Sequence, residues 1–80
     1  MTTINTTHSA TVASLAAKAE EIEALIPTIR NTRHHADCVS LVAAYDRLGW
    51  AMEFGDREDR VLCARNARKA QRRAYASNAD

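Results

Sequence analysis

An apolar seam near the N-terminus limits this chain to one kind of element. Val12, Leu15, Ala19, Ile22, Ile26 and Ile29 recur at alternating spacings of three and four residues. A strand returns a side chain to the same face every second residue and a helix every 3.6, so the spacing is helical. Ala16 and Leu25 widen the seam, while Glu20, Glu21 and Glu23 stay off its centre. The run holds fewer than three heptads, so it is an amphipathic helix rather than a long coiled coil. Ser9 is a suitable N-cap, because its hydroxyl can accept a bond from a free backbone N–H.

Pro27 falls inside the seam. It removes the N–H that would bond the Glu23 carbonyl, and its ring crowds that carbonyl. It also biases Ile26 away from the helical region. Ile29 keeps the phase of the seam, so the pattern predicts a kink and a final turn reaching about Asn31. A separate short helix after Pro27 is the alternative. Asn31 to Ala36 then reads as a turn, with Asn31 closing the first helix and Thr32 capping the second.

Beyond the turn, Cys38, Leu41, Val42, Tyr45, Leu48 and Met52 form a second helical stripe, with Val39, Trp50 and Phe54 outside it. Gly49 inside this helix costs about 1 kcal/mol relative to Ala, and marks either a close backbone approach or an early helix end. Gly55 reads as a left-handed stop, and Asp56 as the N-cap of a third helix with Glu58 and Asp59 in its first turn. The expected fold is all-α, a small antiparallel helical hairpin or three-helix bundle with helices at about 10–31, 33–54 and 57–76. Residues 1–8 read as a flexible tail, 9–76 as a single helical domain and 77–80 as a frayed end.

The core material is thin. Sixteen of the 80 residues are Ala, and the Leu, Ile, Val, Phe and Trp residues with Met52 number only sixteen more. Chains this short need a staple or a partner copy, and no staple is visible, so a homodimer is expected. The two cysteines read as reduced thiols. The first residues lack the early positive charge and apolar run of a leader, and no stretch approaches a membrane span, so a soluble, cytoplasmic protein is expected.

Charge is the one chemically distinctive property. The net charge is only +1, but residues 18–59 hold nine acids against five bases, and no acid occurs from Arg60 to Ala79. Arg65, Arg68, Lys69, Arg72 and Arg73 fall at i, i+3, i+4, i+7 and i+8, one face of the third helix, opposite Cys63, Ala67, Ala70 and Ala74. Val61 and Leu62 sit on the edges of the basic side, so the first turn is expected to pack differently from the rest. Like-charge pairs at i, i+4 within the stripe each cost roughly 0.2–0.5 kcal/mol. A basic face of this kind is either simply solvated or held for something negative: phosphates or an acidic protein patch. No aromatic interleaves it, which argues against base stacking. Glu58 and Asp59 occupy the helix end that a DNA-reading helix presents to bases, which argues against sequence-specific reading.

Other chemistry is poorly supplied. His34 and Cys38 share a helix face, but a zinc site needs a second close pair of ligands that the chain lacks. Cys38 with His34 or His35 has the composition of a nucleophile and base, without room for a substrate cavity. The expectation is therefore no metal, no cofactor and no catalytic residue. It is instead an interaction module whose partner-binding residues are Arg65, Arg68, Lys69, Arg72 and Arg73, with Trp50 as an apolar anchor. Its partner would be a protein with an acidic or apolar patch. A chain of this size suits an accessory or inhibitory factor, such as those that phages and mobile elements direct against host nucleoprotein defences. That last expectation rests on size and compactness, not on a motif. The alternatives are contact with a nucleic-acid backbone through the stripe, and a structural homo-oligomer whose stripe pairs with Glu20, Glu21 and Glu23 of a neighbour.

Overall fold

The computed structural model describes residues 3–79, with side chains described from residue 11 onward. Three α-helices follow one another: α1 (Thr3–Leu25), α2 (Thr32–Phe54) and α3 (Arg57–Ala79), with a short 3-10 turn, Ile26–Thr28, after α1. The fold is thus all-helical among the described residues, with three helices rather than a two-helix hairpin. The links are short, so each helix runs antiparallel to its predecessor, and α1 and α3 run parallel. Helix α2 is the shared centre. α1 packs along one flank and α3 along the other, while the α1 and α3 backbones do not approach each other. The result is a slab of 47 × 23 × 17 Å.

Packing follows from the residue supply. Cys38, Leu41, Val42 and Tyr45 of the predicted α2 stripe are buried, joined by Ala19 from α1 and Ala67 and Ala74 from α3. Leu15, Ile22, Ile26 and Ile29 pack against this cluster but stay half-buried. The seam that defines α1 is covered on one side only. No large side chain is fully enclosed among the described residues. The most buried residue, Ala51, lies outside the predicted stripe at 0% exposed. It lies against the α2–α3 corner, where its carbonyl accepts the Gly55 N–H at 2.9 Å.

The helix ends differ from expectation in five places. Pro27 does more than kink α1: the α-helix stops at Leu25 and tightens into the 3-10 turn, and Ile29 is extended at φ −82°, ψ 119°. The turn does not reach Asn31, because a 3-10 geometry lets Thr28 Oγ1 donate to the Leu25 carbonyl at 2.7 Å and the Ile29 N–H to the Ile26 carbonyl at 3.1 Å. Asn31, not Thr32, caps α2, its side-chain oxygen accepting from the His34 N–H at 2.9 Å. At the other end of α1, the helix begins at Thr3 rather than near residue 10. Once the strong 12–25 segment is nucleated, propagation backward through Thr-rich sequence carries little further cost. Residues 1 and 2, and the side chains of the expected tail, lie outside the described residues. At the C-terminus α3 continues past residue 76 to Ala79, and Ser77 is only 2% exposed. The predicted frayed end is therefore helical through residue 79, while Asp80 lies outside the described residues.

The α2–α3 corner carries the fifth difference. Asp56 caps α3 as predicted: its Oδ1 accepts from the Asp59 N–H at 2.9 Å, and Asp59 Oδ2 accepts from the Asp56 N–H at 3.2 Å. This is a reciprocal capping box built from two aspartates. Gly55 is not left-handed; it is extended at φ −84°, ψ 163°. Space selects glycine there instead of conformation. An added Cβ would lie 2.8 Å from Asp59 Cβ, 2.9 Å from the Ala51 carbonyl oxygen and 3.0 Å from Ala51 Cα. At Gly49 nothing stands within 4 Å of such a Cβ, and the helix runs on to Phe54, so neither predicted reason for this glycine holds within one copy of the chain.

The two glycines consequently respond in opposite directions. Gly55→Ala forces atoms of the capped corner apart and lowers stability by about 1–3 kcal/mol. Gly49→Ala fills open space in a helix interior and raises it by about 1 kcal/mol. Urea unfolding followed by helical circular dichroism checks both, with the midpoint moving down for the first and up for the second.

Candidate binding face

The five stripe residues lie on one ridge of α3. Arg65, Arg68, Lys69, Arg72 and Arg73 are all exposed, opposite the buried Cys63, Ala67 and Ala74. None of the five makes an ion pair or hydrogen bond with a described residue. The acids of α1 and α2 do not reach them. From Arg65 to Arg73 the ridge covers about 12 Å at a rise of 1.5 Å per residue.

The ridge is not purely basic. Val61 and Leu62 are 49% and 47% exposed. At 100° per residue, Val61 stands in line with Arg65, Arg68 and Arg72, and Leu62 in line with Arg65 and Lys69. The first turn of α3 leaves both uncovered. Its geometry is fixed by the capping box and by Arg60 Nη1, which donates to the Gly55 carbonyl at 3.0 Å. The face therefore reads, from N- to C-terminus, as two exposed aliphatic side chains followed by five cations.

Trp50 lies on a different helix. It is 40% exposed on the outer side of α2, and the Arg47 guanidinium carbon sits 4.2 Å from its ring centroid. This cation–π contact covers one face of the indole, so the Trp50 ring is partly shielded. The groove between α2 and α3 is lined by part of the stripe and by Arg47. Lys69 and Arg73 line a hollow of about 270 Å³ with Ser40, Ala44 and Asn66, and Arg47 lines an adjoining hollow of about 360 Å³ floored by the same three residues. Asp37 is the acid at the first of these hollows. Lys69, Arg73 and Arg47 thus border one groove, while Arg65, Arg68 and Arg72 lie further around the ridge. Sequence reasoning does not single out Arg47, Asn66 or Ser40. The one available signal is the place of Arg47 three residues before Trp50, since i, i+3 residues are neighbours on a helix.

His34 and Cys38 do meet, in a structural setting. The Ser77 hydroxyl donates to the Ala74 carbonyl at 3.2 Å, and His34 Nδ1 lies 3.0 Å from Ser77 Oγ. With that hydroxyl hydrogen committed, Nδ1 donates to Ser77 and Nε2 is left as an acceptor facing Cys38 Sγ at 3.5 Å. His34 is therefore a half-buried tie between α2 and the last turn of α3, not an exposed turn residue. The reason is the extension of α3 past residue 76, which supplies Ser77. Burial pushes the Cys38 thiol up, and neighbouring Asp37 adds to this, the reverse of what a nucleophilic thiolate needs. Both cysteines are free and buried. No cluster of three or more His, Cys, Asp or Glu residues that could hold a metal occurs among the described residues. Among the same residues, no helix is long and apolar enough to cross a membrane.

No family model, curated protein or solved structure matches this chain.

Tyr45 resembles Cys38 in its electrostatics: burial raises its hydroxyl pKa, and Tyr75 contributes in the same direction. Both groups hold their protons more tightly when folded. Raising the pH strips the unfolded chain first and shifts the balance toward it. Their contribution is fully present below the ordinary thiol and phenol values, about 8.5 and about 10, and is lost as pH rises through the folded values. The urea midpoint is expected to fall between pH 7.5 and pH 10.5, with a shallower fall in Tyr45→Phe. An equal fall in that variant would assign the effect elsewhere.

Proposed function

We propose that this protein is a small helical binding module whose α3 ridge docks on a protein surface bearing acidic and aliphatic side chains, as an accessory or inhibitory factor. One observation carries the reading: five cations stand unpaired by any described residue, on a helix ridge in line with exposed Val61 and Leu62. Had the stripe served the fold of a single copy, acids from α1 or α2 would pair with it, and none among the described residues does. Had it served a nucleic-acid backbone alone, exposed aliphatic side chains would have no role at its head. That head carries the exposed Val61 and Leu62 and, one turn earlier, the exposed Arg57 and Glu58, a cation and an acid side by side. The mixed face resembles the make-up of protein interfaces, where apolar anchors sit among charges that set orientation and rate. Arg47, which covers one face of Trp50, lines the neighbouring groove and adds a cation beside Lys69 and Arg73.

The test compares charge with shape. Arg68→Glu combined with Arg72→Glu leaves the helical signal and melting temperature nearly unchanged, since neither residue makes a described contact. It is expected to weaken capture of the partner by about twofold to thirtyfold, the sum of two surface contacts. Leu62→Ala is expected to weaken the same capture. A backbone-binding site would behave differently. It would hold mixed-sequence duplex or single strands at about 50 mM salt, release them by orders of magnitude at about 200 mM, and ignore Leu62→Ala. Recovery of every partner unchanged by the Arg68/Arg72 reversal would remove the ridge from the function.

A further inference from the structure

Helix α1 carries a second strip that the bundle does not use. Ser14, Lys18, Glu21 and Leu25 recur at spacings of four, three and four, the period of a helix–helix contact. The strip lies roughly 110° around α1 from the buried seam, at 100° per residue. All four residues are exposed, and Leu25 is 59% exposed despite being among the largest apolar residues of the chain. Lys18 and Glu21 pair with no described residue, although they are only three apart.

The strip borders an open groove. Because α1 and α3 flank α2 without meeting, a trough of about 290 Å³ runs between them. Lys18, Glu21, Ile22 and Leu25 form its α1 wall, Leu41 and Tyr45 its floor, and Gln71 and Tyr75 its α3 wall. Tyr75 is 68% exposed there. A second hollow of about 430 Å³ continues past Ile22 and Leu25 toward Ile29 and Cys38.

We infer that this strip and the trough beside it are covered by α1 of a second copy of the chain, lying antiparallel to the first α1 across a two-fold axis. The surface is self-complementary about a point between Ala19 and Glu20. An axis there sets Lys18 opposite Glu21 of the second copy and Glu21 opposite its Lys18, so both unpaired charges find partners twice over. It sets Leu25 opposite Ser14, and Ile22 opposite Ala17. The exposed small residues Ala13, Ser14, Ala16 and Ala17 occupy the N-terminal half of the strip's surroundings, and the bulky ones the C-terminal half. Antiparallel pairing seats large against small at both ends. Serine is compatible with that place, because a helical serine can return its hydroxyl to the carbonyl one turn back in its own helix. Parallel pairing would set Lys18 against Lys18 and Glu21 against Glu21. A two-fold contact requires this kind of self-match, residue i on j and j on i. The α3 ridge takes no part, so this inference and the proposed function stand or fall separately.

The full chain is tested by sedimentation across roughly 1–500 µM, the range in which interfaces of modest area associate. A concentration-dependent dimer is expected. Lys18→Glu, which opposes two pairs of like charges across the axis, should raise the dimer Kd by about tenfold, and Lys18→Glu with Glu21→Lys should restore it. Helical melting of each variant shows that the monomer is intact. Cysteine cross-linking fixes the register. Ser14→Cys mixed with Leu25→Cys should link, whereas Ser14→Cys alone should not, because two such positions stand roughly 16 Å apart along the pair. A chain that is monomeric throughout overturns the inference. So does a dimer indifferent to Lys18→Glu, or one that Ser14→Cys links to itself.

Discussion

Everything in this fold depends on a single helix having to serve two partners. α2 sets Leu41 and Tyr45 between the two outer helices and Ala44 beside α3, with Cys38 and Val42 in the same buried cluster. The residues that fill these contacts are mostly Ala and Cys, so the helices can come close while each contact removes little apolar area from water. A three-helix bundle with larger side chains would close α1 against α3 and make a ring. Here the two outer helices remain apart, which produces the trough and leaves the α1 seam covered on one side only.

A thin apolar core puts weight on the polar ties at the helix ends. The Asn31 cap starts α2, the Asp56–Asp59 box starts α3, and the His34–Ser77 contact fastens the last turn of α3 to the first turn of α2. Each tie satisfies backbone or side-chain groups that would otherwise face a partly buried junction unpaired. The Gly55 corner belongs to the same set. There the Ala51 backbone comes so close that no side chain fits, and the α2–α3 angle is set over two residues. These ties also explain why α3 does not fray where its alanine pattern ends: Ser77 is held from outside the helix.

The periodic parts of the fold can be read from the sequence, and the parts decided by contact cannot. The alternation of three and four predicts α1, the Cys38–Met52 stripe predicts α2, and Asp56 with Gly55 places the start of α3 at residue 57. Those signals are local, so a single chain displays them. The end of α1 escapes them, because phase continuity at Ile29 says which way a side chain points, not whether the backbone remains helical past a proline. Dihedral freedom is the reason that pattern alone suggests for Gly55. Its cause is a 2.9 Å approach, a distance that no sequence pattern encodes. The exposed ridge is legible as a stripe of bases. That no described residue pairs with it, and that Val61 and Leu62 stay uncovered at its head, becomes visible only with three helices in place.

The two unpartnered surfaces lie on opposite outer helices, and that separation has a consequence for binding. Reversal of individual exposed charges changes affinity only modestly, since each such contact is worth about 0.2–1 kcal/mol and is screened by salt. A ridge of about 12 Å on one copy would bind an acidic surface weakly. A two-fold pair joined through α1 carries two ridges, and the second engages at an effective concentration set by the rigid bundle instead of by diffusion. A target that repeats its acidic patch at the matching spacing would then be held far more tightly than a single patch, with no new contact made. The thin core, which leaves α1 in want of a partner, would in that case also supply the avidity that a short basic ridge lacks.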